Sequence, residues 1–123
     1  MIKVLVVDDS ASFRQSFAVH LYQRFPILDI AEAGDAVEAL EKVNAVEPHL
    51  VFVDIQLPGE SGLELTRKIK ADWPHIVIAM LTAYDLPEYR EAARELGAEY
   101  FFSKSAPVEE LDAVIESLSP RMK

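Results

Sequence analysis

Three carboxylates, one hydroxyl and one ammonium group stand at the ends of apolar runs in this 123-residue chain. Asp8 and Asp9 follow the run 2–7, Asp54 ends the run 50–54, Thr82 follows 76–81, and Lys104 comes just behind 100–102 and Ser103. Held within a few ångströms of one another, three carboxylates cannot all stay ionised without a counter-charge. A hard divalent cation supplies it, and Mg²⁺ typically takes one or two carboxylates with waters and a phosphoryl oxygen. With Lys104 added, the charges of such a pocket balance. It could then accept an anionic phosphoryl group on a carboxylate nucleophile. Asp54 is the natural nucleophile, being single, strand-terminal and followed by the turn-rich segment Leu57-Pro58-Gly59-Glu60-Ser61-Gly62. The cation and Lys104 would stabilise charge on the transferring oxygens, and Thr82 would donate a hydrogen bond to one of them. Taken singly, each acid is better explained as a helix cap or turn former. The joint pattern over four strand ends is not explained that way.

The elements that must gather these groups are legible in the hydrophobic periodicity. Five short apolar runs, predicted as strands over residues 2–7, 27–31, 50–54, 76–81 and 100–102, alternate with five helical patterns. Ser10 or Ser12 caps the first helix, where Phe13, Phe17 and Leu21 recur every fourth residue, and Pro26 ends that segment. Asp35 with Glu38, and Ser61 with Glu64, have the spacing of a capping box. Val37, Leu40 and Val43 form the predicted apolar stripe of the second helix, and Leu65 with Ile69 that of the third. Asp85 with Pro87 is expected to open the fourth helix, and Gly97 to stand just past its end. Pro107 starts the last, where Leu111, Val114, Ile115 and Leu118 follow i, i+3, i+4, i+7. Continuously apolar strands alternating with helices imply a parallel sheet covered on both faces. Right-handed crossovers then bring every strand's carboxyl end to one edge, where open α/β sheets bind ligands.

Composition narrows the function. Twelve basic against 21 acidic residues leave a net charge of −9, which argues against direct grip on nucleic acid or an anionic membrane. With no cysteine, disulfides, thiolate catalysis and zinc–thiolate sites are excluded. The length suits one domain over residues 1–123, with no output domain inside it. The N-terminal apolar run is too short for a membrane span and ends in two carboxylates, so a cytoplasmic protein is expected. His20, His49 and His75 are isolated and expected in surface or loop roles, and Trp73 is expected to be a packing residue. Glu88, Arg90, Glu91, Arg94 and Glu95 make either a solvated mixed-charge face or a partner surface. Ser119-Pro120-Arg121-Met122-Lys123 suits a free tail or the start of a linker.

At these spacings the chain resembles the receiver domain of bacterial two-component response regulators, the CheY-like superfamily. The residues that carry the resemblance are Val6-Val7-Asp8-Asp9-Ser10, Val53-Asp54-Ile55-Gln56-Leu57-Pro58-Gly59, Gly62-Leu63-Glu64, Leu81-Thr82-Ala83, and Lys104 beyond Gly97-Ala98. It implies a flavodoxin-like (βα)₅ three-layer sandwich whose five parallel strands lie in the order 2-1-3-4-5. It implies that Asp54 is phosphorylated by a sensor histidine kinase or a histidine phosphotransfer protein. Mg²⁺ would be held by Asp9, Asp54 and the backbone carbonyl of Gln56, with Asp8 acting through water, while Lys104 and Thr82 contact the phosphoryl oxygens. Movement of Thr82, with an inward turn of Phe101, would switch the face made by the fourth helix, fifth strand and fifth helix. That face would address an output protein, an effector or DNA-binding domain outside this chain, or a phosphorylation-dependent homodimer. No turnover of a separate substrate is implied, only phosphorylation and dephosphorylation of Asp54 itself.

The chain departs from the usual pattern at several points. Phe101 has no hydroxyl, and Tyr100 beside it leaves open which ring moves. Ser105 rather than Pro follows the lysine, a variation familiar among receivers attached to helix-turn-helix output domains. Tyr84 stands two residues past Thr82, and Gln56 two past Asp54. Both flank the path of a hydrolytic water, so they are expected to modulate dephosphorylation, with bulky Tyr84 slowing it. Two other readings compete. A non-phosphorylated pseudo-receiver usually lacks an acid or the lysine, and all are present here. A haloacid-dehalogenase-type phosphatase needs Asp-x-Asp at the end of its first strand, whereas this candidate ends the third and position 56 is Gln.

Overall fold

A computed structural model describes residues 2–118 of the chain. Ten elements alternate: β1 (Lys3–Val7), α1 (Ala11–Arg24), β2 (Asp29–Ala33), α2 (Ala36–Val46), β3 (Leu50–Val53), α3 (Gly62–Asp72), β4 (Val77–Thr82), α4 (Pro87–Glu95), β5 (Tyr100–Ser103) and α5 (Val108–Leu118). All neighbouring strands pair in parallel, in the order β2-β1-β3-β4-β5, as the resemblance implies. Successive side chains in a strand point to opposite faces, and both faces are covered. Leu5, Val7, Val51, Val53, Ile78 and Met80 pack on one side against α2, α3 and α4. Val4, Val6, Leu50, Phe52, Ala79 and Leu81 pack on the other against α1 and α5. This is why the inner strands are apolar at every position instead of alternating. Each fully buried Val, Leu, Ile, Phe or Met among them contributes about 1.5–3 kcal/mol relative to exposure. No helix among the described residues is long and apolar enough to cross a membrane.

The predicted caps form where the spacing put them. Ser10, not Ser12, caps α1 and accepts from the Phe13 N–H at 3.2 Å. Asp35 accepts from Glu38 N–H at 2.8 Å, and Ser61 from Glu64 N–H at 3.3 Å. Gly97, just past α4, has φ of 103°, a left-handed conformation that a side chain would strain.

Four expectations need correcting. The second strand begins at Asp29 and reaches Ala33, two residues later than predicted. Ile27 is exposed and Leu28 is buried ahead of the strand, because β2 is an edge strand whose partner β1 sets its register. Val37 lies outside the apolar stripe of α2 and is 71% exposed; Ala36, Ala39 and Val43 make the buried face instead. Asp85 does not cap α4. Leu86 occupies the cap position without a side-chain hydrogen bond, Pro87 opens the helix, and Asp85 pairs with Arg90. His20 is no free surface group: its Nε2 lies 3.0 Å from the buried Asp112 of α5, joining that helix to α1.

His49 stands just before β3, half-buried, and its Nδ1 accepts from the Lys3 N–H at 3.0 Å. Burial and the nearby Lys3 charge both lower its pKa below the ordinary histidine value. His75 is exposed in the turn between α3 and β4. Trp73 is half-buried against the core at the C-terminal end of α3, as a packing residue should be. The segment 119–123 lies outside the described residues.

Candidate functional site

Strand register brings the polar groups of the sequence to one edge. Val7 pairs with Val53, Val53 with Met80, and Thr82 with Ser103, so the strands end nearly level. The ladder then continues one step into the loops: the Asp8 N–H donates to Ala33 O and the Asp54 N–H to Val7 O, both at 3.0 Å. Across the edge, the Lys104 N–H donates to Thr82 O at 2.9 Å. Backbone hydrogen bonds therefore fix the Cα positions of Asp8, Asp54 and Lys104, leaving only their side chains to choose partners.

Asp8, Asp9 and Asp54 each present an oxygen within 4.8 Å of the other two. Asp8 and Asp54 are buried and Asp9 is exposed, so the cluster opens to solvent on one side. Lys104 Nζ donates to Asp8 Oδ2 at 2.6 Å and to Asp54 Oδ2 at 3.1 Å. The remaining oxygens turn to the backbone. Asp8 Oδ1 accepts from Ser10 N–H at 2.9 Å, and Asp54 Oδ1 from Gln56 N–H at 3.3 Å. Partial burial draws the Lys104 pKa down, but hydrogen bonds to Asp8 and Asp54 and the charges behind them outweigh it. The pKa stands above the ordinary lysine value, and the side chain is an ammonium ion at physiological pH. One ammonium against three carboxylates leaves two negative charges over. A divalent cation with oxygen ligands fits that surplus and that all-oxygen donor set.

The other predicted site residues lie around this centre. Thr82 is fully buried at the end of β4, and its Oγ1 accepts from the Tyr84 N–H at 3.2 Å, which leaves its own proton free to donate. Gln56 and Tyr84 are exposed at the rim. Phe101 sits apart from the carboxylates on the side of the sheet that carries α4, half-buried beneath the Arg90 guanidinium at 4.8 Å. Tyr100 and Phe102 face the opposite side and stack on each other at 6.0 Å. Of the two candidate rings, Phe101 is therefore the one packed against the helix α4.

Three residues beside the pocket escaped sequence reasoning. Arg14 donates to the Asp8 carbonyl and pairs through Nε with Glu32 Oε1 at 3.1 Å, clasping the Asp8-Asp9 turn between α1 and β2. Phe13, read from its spacing as a core residue, is half-buried with its ring against Lys104 Nζ. Phe13 and Arg14 lie one helical turn past the acids, but only their long-range partners reveal a role.

A family model for the response regulator receiver domain matches residues 4–116. The oxygen regulatory protein NreC of Staphylococcus aureus is 35% identical over 117 residues, covering 94% of this chain and 54% of that protein. The chain thus spans about half the length of the curated relatives it matches. A two-component response regulator of the LuxR family from Aurantimonas sp. SI85-9A1 superposes with a TM-score of 0.86 at 32% identity, over 94% of this chain and 83% of that one. A response regulator from Burkholderia pseudomallei, solved with a phosphorylated aspartic acid, a calcium ion and citrate, gives 0.86 at 27% identity, over 99% and 71%. With the strand order, the level strand ends and the acid–lysine cluster all in place over the matched span, the chain belongs to the response regulator receiver domain family of two-component signalling.

Proposed function

We propose that the protein accepts a phosphoryl group on Asp54 from a sensor histidine kinase or a histidine phosphotransfer protein and relays the event through its α4-β5-α5 face. The observation that carries this reading is Lys104 bridging Asp8 and Asp54 next to a third carboxylate. An Asp54 carboxylate oxygen attacks phosphorus, a P–O bond forms as the P–N bond of the donor phosphohistidine breaks, and the imidazole nitrogen leaves with its electron pair. Asp8, Asp9, Asp54 and the Gln56 carbonyl would hold Mg²⁺, which supplies charge neutralisation on the transferring oxygens when bound. Lys104 trades Asp8 for a phosphoryl oxygen, and Thr82 turns its free proton to another. Thr82 then vacates space beside β4, Phe101 turns inward, and the face bearing Arg90 is remodelled. The phosphorylated aspartate of the Burkholderia relative supports the acceptor assignment. Residues 1–123 are one receiver unit on this reading. That this chain covers only 54% of NreC supports an output region located outside this unit.

The test is incubation with acetyl phosphate with and without Mg²⁺. Stoichiometric, Mg²⁺-dependent acyl phosphate mapped to Asp54 is the expected result. Continuous turnover of a phosphomonoester would mark a phosphatase, and no modification at all would mark a pseudo-receiver. Two further outcomes follow from the placement of side chains. Tyr84 is exposed beside Thr82, so Tyr84→Ala should open a path for water and shorten the phosphorylated lifetime several-fold in a decay assay; an equal or longer lifetime counts against it. Trp73 ends α3, roughly 16 Å along the helix from Gly62 at the site edge. Mg²⁺ or beryllofluoride should therefore leave its fluorescence almost unchanged, whereas a strong quench would contradict the location of the site.

A further inference from the structure

Lys104 meets more than carboxylates. Its Nζ lies 4.3 Å from the centroid of the Phe13 ring while donating to Asp8 and Asp54. Phe13 is the third residue of α1, and the Ser10 cap accepts from its own N–H. Helical side chains lean towards the N-terminus, so the ring inclines over the turn that carries Asp8 and Asp9. The ring is also braced from behind. It stacks on Phe17 at 5.7 Å, and Phe17 meets Phe52 edge-on at 5.0 Å and 86°. Phe17 and Phe52 are buried, and Phe52 stands in β3 two residues before Asp54. One aromatic column thus runs from the interior of β3 to the ammonium that faces the end of the same strand.

We propose that Phe13 is a positioning residue for Lys104, its ring holding the ammonium in the pocket before the phosphoryl group arrives. The proposal rests on the phospho-acceptor reading of Asp54. A lysine stem has four rotatable bonds, and the Lys104 side chain is still 23% exposed, so water competes for its head group. The ring quadrupole attracts the cation, more strongly where water is partly excluded. A fourth carboxylate could hold Lys104 too, but it would add negative charge to a pocket that must admit an anionic donor. The aromatic face holds the cation without that penalty. A contact over the ring face also ties up no single N–H of the ammonium, so it survives while Lys104 trades Asp8 for a phosphoryl oxygen.

Phe13→Leu keeps an apolar side chain without the aromatic face, and Phe13→Tyr keeps both. In the unphosphorylated protein, NMR should find the Lys104 Hε protons shifted upfield by the ring in the wild type and in Phe13→Tyr, and unshifted in Phe13→Leu. With acetyl phosphate and saturating Mg²⁺, the initial phosphorylation rate of Phe13→Leu should fall about 5- to 30-fold, with Phe13→Tyr near wild type. In a Lys104→Met background, Phe13→Leu should have no further effect. An unchanged rate in Phe13→Leu, an equal fall in both backgrounds, or unshifted Lys104 protons in the wild type would each overturn the proposal. Should the wild type form no acyl phosphate, the phospho-acceptor reading fails, and the Lys104 resonances by themselves uphold or overturn the placement by Phe13.

Discussion

Asp54→Asn should reduce Mg²⁺-dependent phosphorylation by acetyl phosphate to background, a loss on the order of 10³-fold or more, equivalent to about 4 kcal/mol of barrier. The amide has nearly the shape of the carboxylate, so the fold should be retained. Its oxygen can still accept from Gln56 N–H, and Lys104 keeps Asp8 at 2.6 Å. What disappears is the proposed nucleophile and one of three carboxylates around the proposed cation. The same variant should therefore lose much of the thermal stabilisation that Mg²⁺ confers on the wild type, a stabilisation of about 1.4 kcal/mol when Mg²⁺ is present at roughly ten times its Kd. Quantitative acyl-phosphate assay and thermal melts at matched Mg²⁺ concentrations check the two halves separately. Undiminished labelling of the Asn variant would place the acceptor on another residue.

Gly62→Ala should destabilise the protein by about 3 kcal/mol or more, although alanine is ordinarily favoured over glycine in a helix by about 1 kcal/mol. Gly62 is the first residue of α3, and its N–H donates to Ile55 O at 2.9 Å. A Cβ there would stand 1.9 Å from the Asp54 carbonyl oxygen and 2.8 Å from its carbon, with Ile55 Cα at 3.1 Å. These are backbone atoms next to the Asp54 N–H that is fixed to Val7 O, so no side chain can swing aside to make room. Either α3 withdraws or the chain leaving β3 moves, and the second displaces Asp54, the proposed phospho-acceptor. Sterics outweigh propensity at this position. Gly59 is the control: its φ of 78° disfavours a side chain, but nothing lies within 4 Å of the added atom. Gly59→Ala should cost only about 1 kcal/mol. Urea denaturation of the two variants measures the contrast. A Gly62→Ala protein as stable as Gly59→Ala would show that the close approach of α3 to β3 does not exist.

The site was legible in the chain because its chemistry is tied to strand ends, and strand ends are marked locally. Val4–Val7, Leu50–Val53 and Ile78–Leu81 are buried on both faces, so each reads as an uninterrupted apolar run with a polar residue at its exit. Right-handed crossovers then allow one edge for all of them, which is how Asp8, Asp9, Asp54 and Lys104 could be grouped although they are scattered in sequence. Caps at Asp35 and Ser61 were equally legible, since a capping bond spans three residues, whereas only the structure chose Ser10 over Ser12 for the first helix.

Where burial is one-sided or partners are remote, local pattern loses its authority. The edge strand β2 has one neighbour, so its start was set by pairing with Lys3–Val7 and not by the apolar Ile27-Leu28. Val37 matches a helical stripe as well as Ala36 or Ala39, and only the placement of α2 on the sheet decided which side meets solvent. The carboxylates, the lysine and their common edge follow from residue type and period, which every short segment carries within itself. The ring of Phe13 over Lys104, the clasp of Arg14 on Glu32 and the backbone pressed against Gly62 arise between segments far apart in the chain. They exist only once the sheet has brought those segments within contact distance, because packing depends on where a neighbour lies in space.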